Sequence, residues 1–237
     1  MKIGYRGLRL AAALLLACQT RLWVYGVERI PRSGAVLLVA NHLGAIDPVA
    51  IALRIPRMVR ILAKAEILTF PVLGGLARLG AVIPIRRGES DREALRTVVD
   101  QLWDGQAALL FPEGTFRRVP EPAAMAAVKP GAAWLALRTG ATVVPVGIWG
   151  TERVWHPSRG WKLWHRPHVY VVFGEPYVVK PRQGVPTKTA IAENAAEMAG
   201  RIASLVPAEY RGYYGSGEAG GAPTWDGAVV AHSSARS

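Results

Sequence analysis

The chain has 237 residues, 51% hydrophobic and 19% charged, which suits one sizeable core but not two full domains. Lysine and arginine number 29 against 17 acidic residues, so a net charge of +12 directs the surface toward anions: nucleic acid, anionic lipid headgroups or a phosphorylated substrate. The composition excludes a disordered polyelectrolyte, and the single cysteine, Cys18, excludes an intrachain disulfide.

Lys2, Arg6 and Arg9 precede an apolar run from Leu10 to Cys18. That run is far short of the roughly 20 residues that span a bilayer. A basic start before a short apolar stretch fits a secretory signal, and Leu15-Leu16-Ala17-Cys18 resembles a lipoprotein cleavage box. The hydrophobic pattern runs on through Leu22, Trp23, Val24 and Tyr25, however. Tyr5, Leu8, Ala12, Leu15 and Leu22 approximate one helical face. The expectation is an amphipathic membrane-associating helix over residues 1–25; an ordinary core-packing helix is the alternative.

Ala35 to Ala40 reads as a strand buried on both faces. Asn41 to Ile46 then leads into Asp47-Pro48, with Asp47 suited to cap a helix and Pro48 to its first turn. Met58 to Ala63 is another short apolar run. Phe70 to Leu79 reads as helix or turns, Ala81 to Ile85 as a strand, and Asp91 to Trp103 as an amphipathic helix. Ala107 to Phe111 reads as a buried strand, Gly131 to Arg138 as a helix, Thr142 to Ile148 and Val169 to Phe173 as strands, and Ala190 to Leu205 as a last helix. This alternation predicts an α/β domain over 26–211, a mixed central sheet flanked by helices. The Gly-, Ser- and Ala-rich residues 212–237 are expected to be a disordered tail.

His42 and Asp47 lie five residues apart. On a straight helix that spacing separates side chains by about 140°. Across a strand-to-helix loop the two can meet, the carboxylate fixing the imidazole tautomer and the other ring nitrogen taking a proton. No Gly-x-Ser-x-Gly element offers a nucleophile, so a substrate hydroxyl would serve. Taken alone, such a pair is as readily a structural contact. Phe111-Pro112-Glu113-Gly114-Thr115 closes a buried strand, where open α/β sheets place ligands. Arg86-Arg87 closes another, and a guanidinium fork there suits phosphate. A structural Arg86–Glu113 ion pair is the alternative.

These blocks, in this order, resemble those of the lysophosphatidate and glycerol-3-phosphate acyltransferases. Asn41-His42-Leu43-Gly44-Ala45-Ile46-Asp47 matches their His-x4-Asp block. Gly80 to Arg86 resembles the second block, Phe111 to Thr115 the third, and Val143-Val144-Pro145-Val146 the fourth. Ala63-Lys64-Ala65-Glu66 and Lys129-Pro130-Gly131-Ala132 are also similar to family segments. In place of the arginine that often follows Glu-Gly-Thr, this chain has Phe116 and then Arg117-Arg118.

The resemblance implies acyl transfer from acyl-CoA or acyl-carrier protein to the sn-2 hydroxyl of lysophosphatidate, with glycerol-3-phosphate or another lysolipid as the alternative acceptor. His42 would be the base and Asp47 its orienter. Arg86, Glu113, Gly114 and Thr115 would bind the acceptor, with Lys64 and Arg117 as further contacts. No metal or other cofactor is implied. Lysophospholipid, acyl thioester and an anionic membrane surface are the expected partners, with acyl-carrier protein as a further one. The expected location is the cytoplasmic face of the cell membrane, peripheral or monotopic. Trp149, Trp155, Trp161 and Trp164, interleaved with basic residues, form a second candidate membrane patch. A basic nucleic-acid-binding protein is the rival of another class, but no zinc-finger, RNP or helix-turn-helix signature supports it.

Overall fold

The computed structural model describes residues 3–64, 74–75, 82–85, 91–114, 124–156, 160–161, 166–179 and 188–215. Within them, helix α1 (Ile3–Gln19) is followed by strand β1 (Arg21–Tyr25), β2 (Val36–Ala40), α2 (Asp47–Ala52), β3 (Val59–Lys64) and β4 (Val82–Ile85). Next come α3 (Asp91–Trp103), β5 (Ala107–Leu110), α4 (Gly131–Thr139) and β6 (Thr142–Trp149). A small hairpin, β7 (Trp155–His156) and β8 (Gly160–Trp161), precedes β9 (His168–Phe173), β10 (Tyr177–Val178) and α5 (Lys188–Ala203).

The main sheet runs in the order β1-β9-β6-β2-β5-β3-β4, with β10 also beside β6. From β6 to β4 every pairing is parallel; β9 and β10 run antiparallel to β6. The sheet is therefore mixed, as expected. Every residue of β2 and β5 is buried, which is why both read as unbroken apolar runs without alternation. Leu37 and Val39 of β2 face the layer built from α3, α4 and α5, with Val98, Leu102, Leu135, Ala136, Met198 and Ile202 in its core. Val36, Leu38 and Ala40 face the opposite layer, where Leu16 of α1 and Ala50 and Ile51 of α2 pack. The parallel strands thus lie between two helical layers, and their carboxyl ends line up along one edge.

The N-terminal segment differs from the expectation. The helix ends at Gln19, where the Thr20 hydroxyl and amide both donate to the Leu16 carbonyl, at 2.7 and 2.8 Å. Arg21 to Tyr25 then pairs in parallel with β9 as an edge strand. Its Leu-Trp-Val-Tyr sequence is β-branched and aromatic, chemistry that favours a pleated ribbon over a further helical turn. The face also shifts. Ala12 and Leu16 are buried and Leu8 is half-buried, whereas Leu15 is 55% exposed beside Leu10 at 63% and Leu14 at 59%. Arg9 anchors this arrangement by donating to the Leu53 and Ile55 carbonyls just beyond α2, at 2.8 and 3.1 Å. Among the described residues no helix is long and apolar enough to cross a membrane.

Trp149 does not belong to a surface patch. It is 5% exposed, and its ring stacks on its cross-strand neighbour Tyr170 with centroids 4.9 Å apart. Trp164 and the side chains of Trp155 and Trp161 lie outside the described residues, as do 216–237 and most of Phe70 to Leu79.

Candidate active site

Three neighbouring parallel strands, β5, β2 and β6, deliver their carboxyl ends to one place. The loops that follow carry His42, Glu113 and Thr151-Glu152. The β2 and β6 ends are locked together by Asn41, which is fully buried. Its amide nitrogen donates to the Ile148 carbonyl at 2.7 Å, and its oxygen accepts the Ile148 N–H at 2.8 Å. A side-chain amide thus continues the sheet ladder past the last strand residue and fixes where the next residue, His42, departs.

His42 meets Asp47 across the loop, its Nδ1 lying 2.8 Å from Oδ2. The same oxygen accepts the backbone N–H groups of Leu43 at 2.7 Å and Gly44 at 2.8 Å. Asp47 therefore does not cap its helix as the sequence suggests. It opens α2 and turns back to gather the loop that precedes it. Its side chain is fully buried, and Oδ1 has no hydrogen-bond partner among the described residues. An ionised, acceptor-only carboxylate matches donors at Leu43, Gly44 and the Nδ1–H tautomer of His42. The imidazole stacks on Phe111, with centroids 4.2 Å apart and planes 26° from parallel, and its side chain is 10% exposed. Gly44 packs on Thr151; a Cβ there would lie 3.2 Å from the Thr151 carbonyl carbon, so glycine permits the approach of the β2 and β6 loops.

Glu113 is 5% exposed and joins two segments. Its Oε1 accepts the His42 backbone N–H at 3.1 Å, and its Oε2 accepts the Ala126 N–H at 2.9 Å. Burial pushes its carboxyl up to about 7; the two amide donors oppose this, and the charge of Asp47 adds to it. Gly114 follows with φ +78°, and its N–H closes a turn onto the Phe111 carbonyl at 2.9 Å. The β6 loop adds a third acid. Glu152 accepts the Tyr210 hydroxyl at 3.0 Å through Oε1 and pairs with Arg153 at 3.3 Å through the same oxygen. Its carboxyl is also raised, first by burial, with the Asp47 charge again contributing.

The structure brings His42, Asp47, Glu113 and Gly114 together. Lys64 is the last residue of β3 and reaches the same sheet edge, but its side chain lies outside the described residues, as do Arg86, Thr115 and Arg117 entirely. The backbone amides of Leu43 and Gly44 serve Asp47, and that of Gly114 closes its turn. Sequence reasoning missed Asn41, Glu152 and Tyr210. Glu152 was accessible in principle, since it follows the carboxyl end of a strand. Tyr210 carried no signal, because only the path of the chain after α5 brings it to Glu152.

A carboxyl raised by folding holds its proton longer in the native state, so its contribution to stability is present below the unfolded value and lost as pH rises through the folded one. For Glu113 that window runs from the ordinary carboxyl value of 4.5 to about 7. Chemical denaturation of wild type and Glu113→Gln across this range is expected to show wild type losing stability relative to the variant, then levelling off above pH 7. A relative gain with rising pH would contradict the assignment.

Comparison with known proteins agrees with this geometry. A family model described as Acyltransferase matches residues 21–149, which hold His42, Asp47 and Glu113. The chain is 24% identical over 196 residues to a 1-acyl-sn-glycerol-3-phosphate acyltransferase of Bacillus subtilis, covering 82% of this chain and 93% of that protein. It is 28% identical over 154 residues to a protein of the same name from Borreliella burgdorferi, covering 61% of this chain and 60% of that one. Its length thus matches the first relative almost throughout and under two thirds of the second. The crystal structure of the 1-acyl-sn-glycerophosphate acyltransferase of Thermotoga maritima shares the fold, with a TM-score of 0.61 and 22% identity over 81% of this chain and 75% of that one. By the extent of the family match, which covers more than half its length, the chain belongs to the acyltransferase family.

Proposed function

We propose that this protein moves a fatty acyl group from an acyl thioester, carried by coenzyme A or acyl-carrier protein, to the sn-2 hydroxyl of lysophosphatidate, giving phosphatidate. The observation that carries the reading is the 2.8 Å contact between His42 Nδ1 and a fully buried Asp47 carboxylate. The names of the two relatives support the choice of acceptor.

With Nδ1–H donated to Asp47, His42 takes the hydroxyl proton at Nε2. The hydroxyl oxygen attacks the thioester carbonyl carbon, and the tetrahedral species collapses with loss of thiolate, which recovers the proton from the imidazolium. Asp47 holds the ring in one tautomer and stabilises its transient charge. General base catalysis of this kind supplies about 10²–10⁴-fold in rate. Arg86, Thr115, Arg117 and Lys64 remain assigned to the acceptor's polar end, with Glu113 and Gly114 forming part of its wall.

Both substrates carry acyl chains, and each methylene drawn out of a bilayer costs about 0.8 kcal/mol, so the enzyme works at the membrane surface. The exposed Leu10, Leu14 and Leu15 of α1 support this docking, on a helix too short to span. The face is read as cytoplasmic and the partner as anionic lipid, in keeping with the net charge of +12.

Radiolabelled acyl transfer from acyl-CoA to lysophosphatidate, beside glycerol-3-phosphate, tests the chemistry and the acceptor together. Transfer to lysophosphatidate is expected, falling by about 10²–10⁴-fold in His42→Ala; near-normal activity in a folded variant would sink the assignment. In liposome flotation, Leu10→Ser combined with Leu14→Ser is expected to reduce the bound fraction, and undiminished binding would remove α1 from the account.

A further inference from the structure

We propose that Lys129 is a specificity-determining residue that binds the phosphate of the acyl acceptor. The inference rests on the acceptor reading above and assigns its phosphate contact to a residue that reading does not use.

Lys129 lies far along the chain from His42, yet its side chain ends beside Gly114. A Cβ added to Gly114 would lie 2.7 Å from the Lys129 Nζ and 3.0 Å from its Cε. The ammonium group therefore rests against the bare α-carbon of the residue that follows Glu113. Glu113 in turn holds the backbone of His42. A larger residue at 114 would displace the lysine, and the φ of +78° disfavours one independently.

An exposed lysine is ordinarily a loose, solvated charge. This one is mounted on a segment tied down at four of its five residues, 125–129. Met125 donates to the Tyr210 carbonyl at 2.9 Å and accepts from Tyr213 at 3.0 Å. Ala126 donates to Glu113 at 2.9 Å, and Val128 donates to the Tyr214 hydroxyl at 2.9 Å. Lys129 itself donates its N–H to the Pro112 carbonyl at 2.8 Å. The base of the side chain is thereby fixed, and less freedom is lost when its tip is engaged.

The Lys129 ammonium is not neutralised by the acids of the site. Asp47 and Glu113 are buried beside the His42 loop and Glu152 is half-buried, and the carboxylate oxygens of Glu113 already accept backbone amides. Lys129 forms no ion pair among the described residues, so its charge is available to a ligand. The acceptor in the proposed reaction carries its phosphate on the carbon next to the one bearing the reacting hydroxyl. A hydroxyl at His42 therefore brings the phosphate to the neighbouring part of the site, and a phosphate monoester is a strong partner for an ammonium group.

The test is steady-state transfer by the full-length chain in mixed micelles, comparing wild type, Lys129→Met and Lys129→Arg at matched thermal stability. Lys129→Met is expected to raise KM for lysophosphatidate about tenfold or more, the size of a lost charge-assisted hydrogen bond, with kcat little changed. KM for acyl-CoA should stay fixed, as should the rate with monoacylglycerol, which lacks the phosphate, and Lys129→Arg should recover most of the loss. An unchanged lysophosphatidate KM, or a rise confined to acyl-CoA, would overturn the proposal while leaving the acyltransferase reading standing. Wild type inactive toward every phosphate-bearing acceptor would overturn both. Calorimetric titration with glycerol-3-phosphate adds a readout independent of turnover: the methionine variant is expected to bind more weakly, and equal binding would contradict the assignment.

Discussion

The site depends on one carboxylate oxygen. Asp47 Oδ2 accepts from the His42 ring and from the backbone amides of Leu43 and Gly44, all within 2.8 Å. A fully buried charge is costly unless its partners are in place. The loop after β2 therefore cannot relax without exposing that cost. Each donor constrains the others: the amides fix the turn, the turn fixes where His42 sits, and the imidazole completes the coordination. A base that must meet a hydroxyl in a narrow geometry is held by the folded backbone as well as by its own rotamer.

The sheet makes this possible. Parallel neighbours end on the same side, so β5, β2 and β6 present three loops within reach of one another. Asn41 ties the β2 end to β6, and Glu113 ties the His42 backbone to the loop after β5 and to Ala126. The antiparallel β9 and the edge strand β1 extend the sheet away from this cluster. The cluster gathers three acids around one histidine. Burial raises the carboxyls of Glu113 and Glu152, and the charge of Asp47 adds to both.

Much of this was legible because the signals were local. The apolar runs of β2 and β5 need no tertiary information, and a histidine and an aspartate five apart, split by a strand end and a Pro-started helix, point to a loop. Glu113 beside Gly114 at a strand terminus was legible as a site residue, but its use of both oxygens on backbone amides was not, because Ala126 lies beyond a long intervening stretch. Other features depended on packing that periodicity does not encode. The α1 face is set by Arg9 reaching the end of α2 and by the turn at Thr20, so Leu8 and Ala12 turn to the core while Leu15, which the pattern put on the same face, points outward. Trp149 was read as a surface anchor because basic residues follow it. Its pairing with Tyr170 across β6 and β9 decides otherwise. The tyrosines at 210 and 214 reach the site from after the last helix, a path no motif announces.

The proposed reaction requires Asp47 to fix the tautomer and position of His42. Asp47→Asn keeps the shape of the side chain but removes its charge and makes one of its terminal atoms a donor. The direct measurement is kcat for acyl transfer by this variant, with its fold checked by thermal unfolding. If Asp47 holds His42 in this way, kcat falls by more than about 10²-fold while KM for the acceptor changes little, because binding is intact and the base is in the wrong protonation state. A folded Asp47→Asn protein with kcat near wild type would contradict it.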